Sequence, residues 1–370
     1  MQPHHADVPD PEGSEPQDSD SSSARTEGGR WEREPSAATG QVLGGRFVLG
    51  ASLGAGATGR VFRAEDRERG VDCAVKALWS QGKNQSSVGD FRRIFHREVG
   101  ALTRLYHPNV VNVLGYGSEQ DPWVAMELVP GPSLSTVLAD DGRLPLDEAV
   151  AIVRQVCAAL QHAHEQGVVH RDVKPANVLV ASRNPLLVKL ANFGLAKSHD
   201  DTNHTAEGVL VGTPQYMAPE LFEGQRATPS SDLYAVGVLL FRLATGTTPF
   251  RDIKGLKLIM AKVGTPPPTL AAILGEPVPP PLEAALAKCL AKDPHERHVS
   301  AHALSAALEH WQDEGVAEGS APATLSSEQA SSAPQRRVAP PASLDERLSN
   351  NPGAWWAAQG DHAAPSIEEG

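Results

Sequence analysis

His170-Arg171-Asp172-Val173-Lys174-Pro175-Ala176-Asn177 sets an imidazole, two fixed cations, a carboxylate and a carboxamide within one short stretch. Asp172 can accept the proton of an attacking hydroxyl, and Lys174 can neutralise a phosphoryl group in transfer. Asn177 offers a hard oxygen to Mg2+. Upstream, Asp147 is placed to cap a helix carrying Ala149, Ile152, Val153, Val156 and Leu160, and Gly167 stops it. The stretch therefore reads as a polar loop after a buried helix. Five fixed positions in this order make an ordinary solvated loop the poorer reading.

Working outward, the two sides of this loop differ in pattern. From Phe47 to Glu127 the apolar residues come in short runs: Phe47-Val48-Leu49, Val61-Phe62, Cys73-Ala74-Val75, Val110-Val111 and Trp123-Val124-Ala125-Met126. Glycines and charged turns separate them, as in an antiparallel sheet. One helical stretch interrupts, Phe91 to Leu105. After residue 145 the pattern is helical, and Leu233 to Leu243 is apolar nearly all round, predicting a buried helix. The expected fold is α+β and bilobal, a small β-rich lobe at 46–129 and a larger α-rich lobe at 130–312.

Within the β-rich part, Gly54-Ala55-Gly56-Ala57-Thr58-Gly59 fits G-x-G-x-x-G. A dinucleotide turn would open a helix, but Arg60-Val61-Phe62-Arg63-Ala64 alternates as a strand. The glycines therefore join two strands, where backbone amides can lie close over a triphosphate. Lys76 follows on the third strand. A lysine that holds phosphate oxygens needs an anion to aim it, and Glu98, on the one helix of this lobe, can supply it.

The chain has 370 residues and a formal charge of −12. That charge comes from the ends: residues 1–45 and 313–370 each hold nine acids against three bases, and the body between is balanced. Both ends are rich in Pro, Ser, Gly or Ala and are expected to be disordered tails, with Trp355-Trp356 standing out in the second. A balanced body argues against a nucleic-acid partner. No apolar run of membrane-spanning length occurs, so no membrane association is expected. Cys73, Cys157 and Cys289 are sparse and widely spaced, which suggests a reducing, cytoplasmic setting. His162 and His164 lie two apart on a helix, cannot share a metal, and are expected to be exposed or capping.

With these motifs in order, the sequence resembles the Hanks-type (eukaryotic-like) protein kinases, most closely the bacterial serine/threonine branch, over about 47–311. The later segments that carry the resemblance are Asn192-Phe193-Gly194, Gly212-Thr213-Pro214-Gln215-Tyr216-Met217-Ala218-Pro219-Glu220, Asp232-Leu233-Tyr234-Ala235-Val236-Gly237, and Arg297 within Asp293-Pro294-His295-Glu296-Arg297. The resemblance implies MgATP in a cleft between the lobes and a protein serine or threonine as acceptor. It implies that Leu53, Val61, Ala74 and Leu179 sandwich the adenine and that Gly54, Gly56 and Gly59 cover the phosphates. Glu127 and Val129 would be the hinge, with Met126 behind the base. Asp172, Lys174, Lys76 and Glu98 would be catalytic, and Asn177 and Asn192 would face the metal. Arg297 would pair with Glu220, and His170 would pack beneath Phe193. The stretch from Gly194 to Gly212 would be an activation loop, where phosphorylation of Thr202 or Thr205 would recruit Arg171.

One position departs from the pattern. The family's metal-binding aspartate is Asn192 here, in a register fixed by Val188-Lys189-Leu190 before it and Phe193-Gly194-Leu195-Ala196 after it. The carboxamide keeps an oxygen and loses the charge that Mg2+ prefers. Two functions follow. One is a serine/threonine kinase with a weakened metal site. The other is a pseudokinase, a nucleotide-binding or scaffolding signalling module without significant turnover.

Overall fold

A computed structural model describes residues 37–56, 59–78, 85–118, 121–193 and 214–312. Most of the first expected tail, all of the second with Trp355-Trp356, and the stretch holding Thr202 and Thr205 lie outside the described residues. Strands β1 (Val42–Leu43), β2 (Phe47–Gly56), β3 (Gly59–Asp66), β4 (Val71–Leu78), β5 (Val113–Gly117) and β6 (Trp123–Glu127) form one antiparallel sheet ordered β1-β2-β3-β4-β6-β5. Val42 and Leu43 pair with Val48 and Phe47, so the ordered body begins before residue 46, inside the expected tail. Leu43 is drawn in because it packs with Phe47, Phe62 and Trp123 on one face of the sheet.

Helix α1 (Gln85–Leu102) interrupts the strands and buries Phe95, Val99 and Leu102. It starts earlier than the expected Phe91 and leaves Leu105 in the turn beyond. Val110-Val111, expected as a strand, is not one. Val110 makes only an isolated bridge to Leu190, and the strand is Val113–Gly117. A two-residue apolar run is equally suited to a segment that pins one lobe to the other.

The second lobe opens with α2 (Leu134–Asp141), capped by the Ser133 hydroxyl accepting from the Thr136 N–H. Helix α3 (Leu146–Glu165) follows, with Pro145 at its cap position and Asp147 in its first turn. Asp147 thus serves the positive end of the helix dipole rather than the cap. The hairpin β7 (Val178–Arg183) and β8 (Leu186–Leu190) comes next. Then come α4 (Pro219–Phe222), α5 (Pro229–Thr245), α6 (Gly255–Gly264), α7 (Leu270–Leu274), α8 (Pro280–Cys289) and α9 (Ala301–Ala307). Helix α5 is buried on every side from Leu233 to Phe241, as its composition predicts. One apolar core joins α3, α5, α8, α9 and the hairpin. Among the described residues no helix is long and apolar enough to cross a membrane.

Candidate active site

The loop from His170 to Asn177 leaves α3 at Gly167, whose φ of +74° ends the helix, and enters β7. Arg171 has φ +68°, a conformation that a long side chain adopts only when held there. Asp232 in the first turn of α5 holds it: its carboxylate accepts the N–H of His170 and of Arg171, both at 2.8 Å. It also bonds the His164 ring at 2.8 Å. The His164 side chain is therefore only 8% exposed, while His162 stacks on His107 at 5.2 Å between ring centres. Asp232, itself 1% exposed, was not singled out from the sequence as a positioning residue. Its signal was an acid opening an otherwise apolar helix.

His170 is fully buried against Phe193, their ring centres 4.5 Å apart. Its Nδ1 accepts the Asp172 N–H at 3.2 Å, so Nε2 carries the proton and donates to the Ala191 carbonyl at 3.0 Å. Burial lowers the pKa of this ring, which keeps it neutral.

Five side chains, Lys174, Asp172, Asn177, Asn192 and Lys76, then run in sequence through the site. Lys174 Nζ lies 2.9 Å from Asp172 Oδ2. Asn177 donates its amide to the Asp172 carbonyl at 2.7 Å and to Asp172 Oδ2 at 2.9 Å. Asn192, at φ +63°, donates its amide to Asn177 Oδ1 at 3.0 Å. Lys76 donates to Asn192 Oδ1 at 3.4 Å. Asparagine is among the few residues that tolerate this left-handed conformation.

Lys76 is 4% exposed, and burial pulls its pKa down to about 8 against the attraction of Asp172. The expected ion pair with Glu98 is not made. Glu98 Oε1 is buried with no hydrogen-bond partner, and burial raises its carboxyl pKa. The charges it senses are those of Arg171 and Arg97. Lys76 has taken a neutral oxygen from Asn192 instead, which avoids sealing two opposite charges into a half-buried site.

The apolar residues expected around an adenine do converge. Val61 and Ala74 from the sheet, Met126 and Val129 at the interlobe crossing and Leu179 from β7 form one buried cluster, with Leu53 packed against it. Gly59 has a backbone reason to be glycine: a Cβ there would stand 2.2 Å from the Ala77 carbonyl oxygen of β4. The Glu127 carboxylate turns away from the cleft, bonding the Asn112 N–H and Lys189 Nζ, each at 2.8 Å.

Mg2+ does not fit this arrangement well. Two neutral carboxamides face its expected position, and they already satisfy each other as donor and acceptor. Among the described residues no group of three or more His, Cys, Asp or Glu could hold a metal ion.

The family model described as "Protein kinase domain" matches residues 47–310. The chain is 35% identical over 326 residues to serine/threonine-protein kinase pkn3 of Myxococcus xanthus, covering 85% of this chain and 59% of that protein. It is 38% identical over 273 residues to serine/threonine-protein kinase PksC of Streptomyces coelicolor, covering 71% of this chain and 48% of that protein. The chain thus spans about half the length of the curated relatives it matches. The crystal structure of the Mycobacterium tuberculosis PknI kinase domain superposes with a TM-score of 0.59 at 28% identity, covering 75% of this chain and all of that one.

Proposed function

This chain belongs to the protein kinase family, and on that premise we propose that it transfers a phosphoryl group from ATP to serine or threonine hydroxyls of a protein substrate, slowly. The observation that carries this reading is the Asp172, Lys174 and Asn177 cluster on a loop pinned by Asp232, in one cleft with Lys76. Asp172 orients the acceptor hydroxyl and takes its proton. Lys174 offsets charge on the moving phosphoryl group. Lys76 holds the phosphates of the donor, and the apolar cluster of Leu53, Val61, Ala74, Val129 and Leu179 holds its base. Gly54, Gly56 and Gly59 cover the phosphates, and the backbone of Glu127 and Val129 reads the adenine edge. The family uses ATP with Mg2+. Asn192 in place of the metal-binding aspartate leaves this chain without the charge that would hold the ion, which lowers the rate roughly 10²–10⁴-fold.

Two observations favour the second reading, a pseudokinase: the bond between Asn192 and Asn177, and the open Lys76–Glu98 pair. Phosphate transfer from labelled ATP, to the chain itself and to a generic protein acceptor, decides between them. The first reading expects slow transfer by the native chain, a rise in Asn192→Asp and loss in Lys76→Met. No transfer by the native chain, beside intact nucleotide binding, selects the second reading.

A further inference from the structure

The orientation of the two carboxamides is forced by their neighbours. The Asp172 carboxylate and carbonyl can only accept, so the amide of Asn177 must face them and its Oδ1 must face Asn192. The Lys76 ammonium can only donate, so Asn192 must turn Oδ1 to it and its amide to Asn177. Turning either carboxamide over sets donor against donor or acceptor against acceptor. An aspartate at 192 could not close this chain, because both its oxygens accept and one would oppose Asn177 Oδ1. Two acceptors facing each other need a cation between them. Asparagine removes that need by supplying the donor itself.

We propose that the Asn192 amide stands in for the cation, so that this cleft binds a nucleoside triphosphate free of divalent metal, its phosphates met by Lys76. The inference rests on the nucleotide-binding part of the function proposed above. It specifies the chemical form of the ligand: free ATP serves as well as MgATP. Lys76 lies buried beside Asn192, to whose Oδ1 it donates, and among the described residues it makes no competing ion pair with Glu98, so its charge is available to the phosphates.

Calorimetric titration of the whole chain with ATP, in excess EDTA and in excess MgCl2, tests this. The native chain should show dissociation constants within about threefold in the two buffers, a difference of about 0.7 kcal/mol or less at 1.4 kcal/mol per tenfold. Asn192→Asp should bind at least about tenfold tighter with Mg2+ than with EDTA, because the acid restores the demand for a cation. A native chain that itself gains tenfold or more from Mg2+ overturns the proposal and leaves the kinase reading intact. So does an Asn192→Asp variant, folded by circular dichroism, that ignores the metal. If that variant fails to fold, the ratio for the native chain alone still decides. Absence of ATP binding in both buffers overturns this proposal and nucleotide use together. Metal-indifferent binding without phosphate transfer upholds the proposal and removes only turnover.

Discussion

The two lobes each carry one acid–base pair expected from the sequence, and the pairs behave oppositely. In the larger lobe, Arg297 and Glu220 meet in two parallel bonds of 2.9 and 2.7 Å, at 2% and 4% exposure. The Ser231 hydroxyl donates to Glu220, and Arg297 also donates to the carbonyls of Ala291, Ser230 and Lys292. Its guanidinium lies over the Tyr234 ring at 5.0 Å. In the smaller lobe, Lys76 and Glu98 are apart. A buried pair persists when every remaining donor and acceptor on both partners is also satisfied. Arg297 has that surrounding; Glu98 does not. The first pair is architecture; the second is not closed, and Lys76 is held by Asn192 instead.

The comparison breaks most readily at Arg297. Arg297→Ala should destabilise the chain by about 3–5 kcal/mol, since Glu220 would be left buried and charged alone. Urea denaturation followed by circular dichroism measures it, and a loss below about 1 kcal/mol would place this pair with ordinary surface bridges. The acid limb of stability should show the same pair. Burial pushes the Glu220 carboxyl up, but Arg297 and Ser231 outweigh it and hold the pKa below the usual value. This pair therefore contributes fully above about pH 4.3, the unfolded glutamate value, and its contribution is lost as pH falls through the lower folded value. Melting temperature against pH should accordingly fall less steeply in acid for Arg297→Ala than for the native chain.

A smaller effect is expected at the loop between α3 and β7, which Asp232 holds. Asp232→Asn would set an amide donor against a backbone N–H of His170 or Arg171, costing about 1–3 kcal/mol. Because Arg171 is held at positive φ by that bond, phosphate transfer should fall in the variant even at temperatures where it is fully folded. Smallest of all is Glu98→Gln. Among the described residues the buried Oε1 has no hydrogen bond to lose, so the change in stability should stay within about 0.5 kcal/mol. A double-mutant cycle with Lys76→Met should give a coupling near zero without nucleotide. A coupling above about 1 kcal/mol would mean that the pair is already closed.

How much of this was legible beforehand follows the range of the interactions. Alternation around Val61-Phe62 and Cys73-Ala74-Val75 and the all-round apolar face of Leu233 to Leu243 are local properties, and both elements form where they are expected. Val110-Val111 misled because two apolar residues have no period. Asp147 misled because Pro145, two positions earlier, already starts the helix. The cleft residues were identified through motif order, yet their pairing was beyond reach. Whether Lys76 meets Glu98 or Asn192 depends on the seating of α1, on β4 and on the turn after β8 at once. The hydrogen-bond direction between two asparagines is set by Asp172 on one side and Lys76 on the other, which no spacing rule encodes. Asp232 could have been flagged, because a lone acid among buried apolar residues must be accepting bonds from somewhere.

The cluster that joins Val61 and Ala74 to Leu179 has a thermal consequence. Neither half owns its side of that seam, so heating one exposes apolar surface of the other. The described body should therefore melt in a single calorimetric transition with matching van't Hoff and measured enthalpies. A ligand wedged between the halves should raise that one transition as a whole, with no second peak splitting from it.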